Sequence, residues 1–287
     1  MCQLDCFGCL KTFDCSSDDE RYNEKDIMMK KSPLLFLALA ATCCMPAIAQ
    51  AQTYVGVSGS LTLPNDSKNK GEFTAAVPAT VAPAPVYPAI PSGTSLAWTT
   101  EFDKGYNISG HVGHRLNGGL RVEAELFYTR NGIKRHEGVA VGGTVIDAVD
   151  ASVLTRGATV GSTVGAVVDS GIGNSKTFGG FANLYYDLNS EGKFQPYVGA
   201  GIGLARNKVD YRPSNIAVGK GSDTNLAYQF AAGATYKVSD SFEVFGQYNY
   251  RDFGKNKLAL TLLPADLKVK NKQSMFSLGV RIPFGSQ

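Results

Sequence analysis

Large apolar side chains fall on every second position through most of this chain. The last segment is the clearest: Phe276, Leu278, Val280, Ile282 and Phe284 alternate with Met275, Ser277, Gly279, Arg281 and Pro283. A β-strand sends successive side chains to opposite faces, so one face here is apolar and the other is mostly not. The pattern recurs, and predicts eight strands near residues 53–64, 106–116, 120–130, 176–188, 195–207, 225–238, 242–253 and 273–284. The gaps between them alternate in length. Asn117-Gly118-Gly119 reads as a tight hairpin turn, and Asn189 to Phe194 and Ser239-Asp240-Ser241 are also short. The gaps at 65–105, 131–175, 208–224 and 254–272 are long and are expected to be loops. The first contains Pro78, Pro83, Pro85, Pro88 and Pro91, a composition that favours extended chain. The second is rich in Gly, Val, Ala and Thr, which fits either strands prolonged past the barrel or a flap.

The individual faces are well separated. In the third predicted strand Leu120, Val122, Ala124, Leu126 and Tyr128 oppose Arg121, Glu123, Glu125, Phe127 and Thr129. In the seventh, Phe242, Val244, Gly246, Tyr248 and Tyr250 oppose Glu243, Phe245, Gln247, Asn249 and Arg251. The fifth sets Val198, Ala200, Ile202 and Leu204 against Gly199, Gly201 and Gly203, which leave room beside bulky neighbours.

The N-terminal part has a different character. Met29-Lys30-Lys31 is a basic start, Leu34 to Ala41 an apolar core, and Ala47-Ile48-Ala49 and Ala49-Gln50-Ala51 are small-x-small cleavage sites. The reading is therefore a non-native upstream extension over 1–28, a cleaved signal peptide over 29–51 and one barrel domain over 52–287. All six cysteines (Cys2, Cys6, Cys9, Cys15, Cys43 and Cys44) precede the barrel, which then needs no disulfide in an oxidising compartment. Residues 1–51 hold five Lys/Arg and seven Asp/Glu, which leaves 23 basic and 18 acidic residues beyond them, a net of +5. That excess reads as dispersed, with no Lys/Arg cluster for nucleic acid. No later stretch is apolar enough for a membrane helix, so any membrane role belongs to strands.

Alternation alone does not say which face of a closed barrel is inside, and a soluble barrel places its apolar face inward. Three features favour a membrane barrel. Aromatics end the apolar faces: Tyr106, Tyr128, Tyr250 and Phe276 at the loop rim, Tyr186, Tyr236, Phe242 and Phe284 at the turn rim, as two interfacial girdles. The opposite face nearly balances its charge, with Arg115, Arg121, Lys237, Arg251 and Arg281 against Glu123, Glu125, Asp187 and Glu243, as a shared lumen would. The export signal completes the case. The expectation is an all-β, eight-stranded antiparallel up-and-down transmembrane barrel with long extracellular loops. Eight strands leave room inside for side chains and little else. The charges should pair and plug the lumen, Glu123 and Glu125 lying opposite Arg115 across the hairpin. A small pore-forming channel is the alternative, with the second loop hiding two further strands.

Nothing in the barrel region carries the spacing of a metal site, phosphate loop or nucleophile elbow, so no cofactor is expected. A lipid hydrolase would need a His/Ser pair on the lipid face, where the predicted positions offer no serine and the single histidine His114. His111 is expected in the lumen and His136 in a loop. Trp98, the only tryptophan, falls in the first long gap and is a candidate anchor for a partner or for the membrane rim.

Several segments carry a resemblance. Pro196-Tyr197-Val198-Gly199-Ala200-Gly201-Ile202-Gly203, Ala227-Tyr228-Gln229-Phe230-Ala231-Ala232-Gly233, Tyr248-Asn249-Tyr250-Arg251-Asp252-Phe253-Gly254 and the ending Phe276 to Phe284 resemble the opacity-type surface antigens among the OmpA-like outer-membrane barrels. The resemblance covers residues 53–287. It implies the bacterial outer membrane, envelope integrity, and adhesion or immune exposure carried by the loops. It also implies outer-membrane lipids, the barrel-insertion machinery and a host-surface or matrix ligand as partners. Relatives often end on the aromatic itself, whereas Phe284 here is followed by Gly285-Ser286-Gln287.

Overall fold

A computed structural model describes residues 52–82, 84–215 and 218–284. The proposed upstream extension, signal peptide and cysteines lie outside the described residues. Ten strand segments form one antiparallel sheet: β1 (Thr53–Pro64), β2 (Ser67–Phe73), β3 (Ser95–Arg115), β4 (Leu120–Val141), β5 (Thr144–Val145), β6 (Gly173–Asp187), β7 (Phe194–Tyr211), β8 (Gly219–Ser239), β9 (Phe242–Leu260) and β10 (Ala265–Phe284).

The ring itself has eight staves. β1 pairs with β10 from Thr53↔Phe284 to Pro64↔Gln273 and with β3 on its other side, which closes the sheet. β2 pairs with the upper parts of the same two neighbours, Ser67↔Thr100 and Lys70↔Lys268, and so continues β1 past the break at Asn65-Asp66. β5 is two residues folded back on the end of β4. The ten-stranded, wider alternative is thereby excluded.

Turns on one rim are short because the local chemistry allows it. Gly118 and Gly119 both adopt left-handed φ, +76° and +81°, which other residues rarely accept. A Cβ on Gly119 would also sit 2.7 Å from the Asp187 carbonyl oxygen. The strands on the other rim are much longer than expected. β3, β4 and β8 have 21, 22 and 21 residues, whereas a tilted membrane strand needs about ten. Much of the expected loops at 65–105, 131–175, 208–224 and 254–272 is therefore barrel wall. The true connections are 74–94, 142–172, 212–218 and 261–264; the second carries two short helices, α1 (Ser152–Thr155) and α2 (Val164–Asp169).

The wall changes character along its length. Near the short turns the outward face is apolar and bare, with Leu278 76 %, Ile108 59 % and Ile202 58 % exposed. The girdle residues Tyr106, Tyr128, Tyr186, Tyr236, Phe242, Tyr250, Phe276 and Phe284 all stand on this outward face. Toward the long connections the faces exchange roles. On β10, Ala265, Leu267 and Val269 point inward and are buried, while Lys268 and Lys270 point out. These join Phe73, Leu96, Trp98, Ile133, Val139, Val164, Val168 and Leu258 in an apolar core inside the upper barrel. The lower half is thus built like a membrane barrel and the upper half like a water-soluble one.

Candidate functional site

The interior is layered, and each layer follows from which residues share an inward register. Lowest, Arg115 donates from Nη2 to both carboxylate oxygens of Glu243, at 2.8 and 2.7 Å. Its expected partners Glu123 and Glu125 are elsewhere: β3 and β4 set Arg115 directly opposite Arg121, and the two guanidinium groups part. Arg121 donates to Asp187 at 3.2 Å and to the Tyr54 hydroxyl at 3.0 Å, while Tyr54 donates to Glu123 at 2.7 Å. Arg281 lies 3.9 Å from Glu123, and its guanidinium sits over the Phe245 ring at 3.9 Å. His111 is inward, 3.9 Å from Glu123.

One layer higher, Glu125 accepts from Arg251 at 2.5 Å and from Gln229 at 3.0 Å. Arg251 lies over the rings of Phe127 and Phe181, and Phe127 stacks on both Phe181 and Phe253. Four arginines and four carboxylates of the anticipated set meet in these layers. Lys237 does not join them; it is at the turn rim, donating to the Ser190 carbonyl at 3.3 Å. Above comes an amide layer: Thr62 donates to Asn131, Asn131 to Gln273, Thr129 to Asn107, and Asn271 to Asn207. Amide side chains carry both donors and acceptors, so most of the layer pairs within itself, while Gln273 Nε2 finds no partner among the described residues. These layers span the bore with paired side chains, and a small polar cavity lined by Ser109, His111, Glu123, Gln247, Asn249 and Arg281 remains among them.

Over this plug the apolar core holds a cavity of about 120 Å³. Leu96, Val139, Val168, Leu260, Leu263 and Trp98 are among the side chains that line it. Trp98 is only 8 % exposed, and its Nε1 donates to Thr100 at 3.2 Å. It faces the interior from β3, so it is neither an exposed partner anchor nor a membrane-rim residue. His136 is in β4 rather than in a loop, bonded through Nδ1 to Thr100 at 2.8 Å and packed on Tyr211. Burial pushes its pKa down to about 4.

The connections above the cavity form one packed cap. The Tyr87 hydroxyl meets Ser152 at 2.7 Å, and Arg156 donates to the Pro88 carbonyl at 3.1 Å, joining the first connection to the second. Ser170 and Ser214 join the second to the third at 2.8 Å. α2 drops Val164 and Val168 into the core below. Asp150 closes its own turn by accepting from the backbone N–H groups of Ser152, Val160 and Gly161, which holds its carboxyl below the usual range.

Among the described residues no His/Ser pair forms on the lipid face. One serine missed in the sequence, Ser274, stands on the outward face and bonds Tyr248 at 2.9 Å. His114 bonds Thr53 at 3.0 Å at the opposite rim. Across β1 the two occupy positions opposite Leu63 and Thr53, ten residues or about 33 Å apart along the strand.

The basic residues supply what sequence reading overlooked. On the outward face of the upper wall Lys70, Lys268 and Lys257 stand directly opposite one another across β2, β10 and β9, and Lys270 stands opposite Lys255. The signal was visible as Lys68-x-Lys70, Lys255-x-Lys257 and Lys268-x-Lys270-x-Lys272, period-two runs that converge only through register.

Comparison with known proteins agrees with this architecture. Residues 35–281 match the model of the outer membrane protein beta-barrel domain family, and the chain belongs to that family. It is 30 % identical over 115 residues to the outer membrane protein PagN of Salmonella typhimurium, covering 36 % of this chain and 47 % of PagN. It is 28 % identical over 131 residues to a candidate adhesin of Rickettsia conorii, covering 38 % of this chain and 52 % of that protein. The chain spans about half the length of these curated relatives. The solved structure of OprG from Pseudomonas aeruginosa shares the fold with a TM-score of 0.54 at 11 % identity, covering 82 % of this chain and 97 % of OprG. The family places the chain in the bacterial outer membrane.

Proposed function

We propose that this family member is a surface-displayed scaffold whose extracellular cap binds a host surface or matrix component, with antigenic display and envelope integrity as consequences of the same build. The observation that carries the reading is the cap. A wall that only sealed a membrane could end at its aromatic rim. Here the strands run on, enclose a second core, and hold three connections in mutual contact. Rigid scaffolds commonly present binding loops in this way. The name of the Rickettsia relative supports adhesion. The family resemblance adds export by the signal over 29–51, cleaved after Ala49 or Ala51, and recognition of Phe284 by the barrel-insertion machinery. The reading assigns the chain binding, not catalysis.

The test exploits two bridges, Val77↔Ile90 and Asp150↔Thr163, which bring loop ends together. Replacing residues 78–89, or 151–162, with Gly-Gly should leave a folded, heat-modifiable barrel and reduce attachment of expressing bacteria to host cells or matrix. Normal attachment by both folded variants would defeat the adhesin reading and leave a structural role. N-terminal sequencing of outer-membrane material should begin at Gln50 or Gln52.

A second reading rests on the cavity, whose lining is almost wholly apolar and whose volume of about 120 Å³ suits a ligand no larger than a benzene-sized hydrocarbon. It is capture of an apolar small molecule at the barrel mouth. Quenching of Trp98 fluorescence by a brominated alkane, lost in Val168→Arg, supports it; no quenching in the native barrel removes it.

A further inference from the structure

We propose that the outer wall carries a basic collar that holds the phosphate groups of an outer-leaflet glycolipid. The inference rests on reading the chain as an outer-membrane barrel and goes beyond the binding assigned to its loops. On one side, Lys70, Lys268 and Lys257 form a row across three strands, with Lys270 and Lys255 as the next row down. On the far side, Arg130, Lys176 and Lys208 form a corresponding row across β4, β6 and β7. Lys104 stands on β3, two residues beyond the girdle residue Tyr106 on the same face.

Like charges directly opposite in a sheet are destabilising. Among the described residues, none of these nine side chains has a carboxylate at ion-pair distance. The nearby carboxylates are committed or lie to the side. Asp252 is held by Lys272 at 3.0 Å and by the Tyr228 hydroxyl. Asp223 accepts from the Lys257 backbone N–H, and Glu72 and Asp266 face each other one row higher. An anion placed between the rows would relieve the repulsion.

Position selects the anion. The outward face of β10 is apolar from Phe284 to Phe276 and then presents Ser274, Lys272, Lys270 and Lys268. At ~3.3 Å per residue and a tilt of about 40°, Lys272, Lys270 and Lys268 lie roughly 10–20 Å above Phe276, while Lys104 and Arg130, two residues beyond Tyr106 and Tyr128, lie about 5 Å above those rings. A phospholipid headgroup layer is only about 5–8 Å thick. That layer reaches Lys104 and Arg130 but not the β10 lysines, whereas a glycolipid with phosphates on its lipid-proximal sugars and on the sugars stacked above them spans both levels. Basic side chains on opposite sides of the wall also suit a surrounding lipid shell better than a single docked partner. At the turn rim, by contrast, Lys193 and Lys237 are offset by Glu191 and Asp240.

The test reconstitutes the full barrel in nanodiscs of zwitterionic phospholipid doped with a bisphosphorylated lipid A-type glycolipid carrying its phosphorylated core sugars, or with the same glycolipid dephosphorylated. Retention of glycolipid by the barrel is measured against salt. The variant carries Lys70→Gln, Lys257→Gln, Lys268→Gln and Lys270→Gln. Because it removes like-charge contacts it should fold at least as well, which heat-modifiable mobility checks. Expected are preferential, salt-sensitive retention of the phosphorylated lipid and a loss of about tenfold or more in the variant. Equal retention of both glycolipids, or an unaffected variant, overturns the proposal. So does a preference for soluble sulfated polysaccharide with no glycolipid preference. Loss of attachment in the loop replacements with glycolipid retention intact would separate this proposal from the adhesin reading.

Discussion

Removing Arg251 should damage the barrel more than any exposed substitution, because it strands a buried charge in the barrel interior. Arg251 is 2 % exposed, and Glu125, its partner at 2.5 Å, is 5 % exposed. Arg251→Ala leaves the carboxylate with the Gln229 and Asn183 amides and no arginine, and empties the space beside the stacked Phe127 and Phe181 rings. A buried pair broken on one side costs about 3–5 kcal/mol. Replacing both partners with neutral groups, Glu125→Gln with Arg251→Met, removes the stranded charge and should recover about 2 kcal/mol or more of that loss. Lys68→Ala, on the outer wall, should stay within about 0.5 kcal/mol. Urea titration in detergent micelles, followed by gel mobility and far-ultraviolet circular dichroism, reads all four proteins. Equal midpoints for Arg251→Ala and Lys68→Ala would refute the paired lumen. A double variant no better than Arg251→Ala would show that lost packing, not stranded charge, is the cause.

Three further outcomes follow from other layers. Val280→Arg, on the lipid face of β10, should cost about 2–4 kcal/mol in vesicles, as charges near a bilayer midplane do, and a neutral effect would misplace the belt. Trp98→Ala should cost about 3–5 kcal/mol through the cavity it leaves, whereas Trp98→Phe should be far milder; near-equal thermal melts would contradict burial of the indole. His136 makes the upper half acid-sensitive: its folded pKa of about 4 lies below its unfolded value, so between those values only the unfolded state takes up the proton. Stability is therefore full above about pH 6.5 and falls by about 3 kcal/mol as pH drops through 4, and His136→Gln should flatten that slope in a Trp98 fluorescence melt.

The membrane half was legible because two signals coincide there. Period-two alternation marks strands, and a constant apolar phase marks the face they share, as from Leu120 to Tyr128. The upper half keeps the period and reverses the phase. In Leu267-Lys268-Val269-Lys270-Asn271-Lys272 the apolar residues take the inward positions that Arg281, Ser277 and Gln273 hold below. Reading for one apolar face therefore stopped each strand at the rim and assigned the rest to loops. Trp98 and His136 were misplaced for the same reason. The Arg115–Glu243 pair was illegible differently, since it joins β3 to β9 across the bore and no hairpin register reports a trans-lumen contact. The lysine rows needed register between strands far apart in sequence, such as Lys70 and Lys268.

That phase reversal also says where a ligand can and cannot act. Below it, lipid covers an apolar exterior and side chains fill a charged interior, so neither surface is free for a soluble partner. Above it, water covers a charged exterior, and the interior is apolar, capped and hollow. The two halves satisfy opposite solvents with one continuous hydrogen-bond ladder, and the amide layer of Asn131, Gln273, Asn207 and Asn271 lies where they meet. Amides suit that junction because they are neutral beside the apolar core and still hydrogen-bond toward the charged plug. A chain selected only to seal a membrane would gain nothing from carrying its wall, a second core and packed connections past this layer. The sequence spends most of its long gaps on that structure, which is why the proposed binding is assigned to the part outside the lipid.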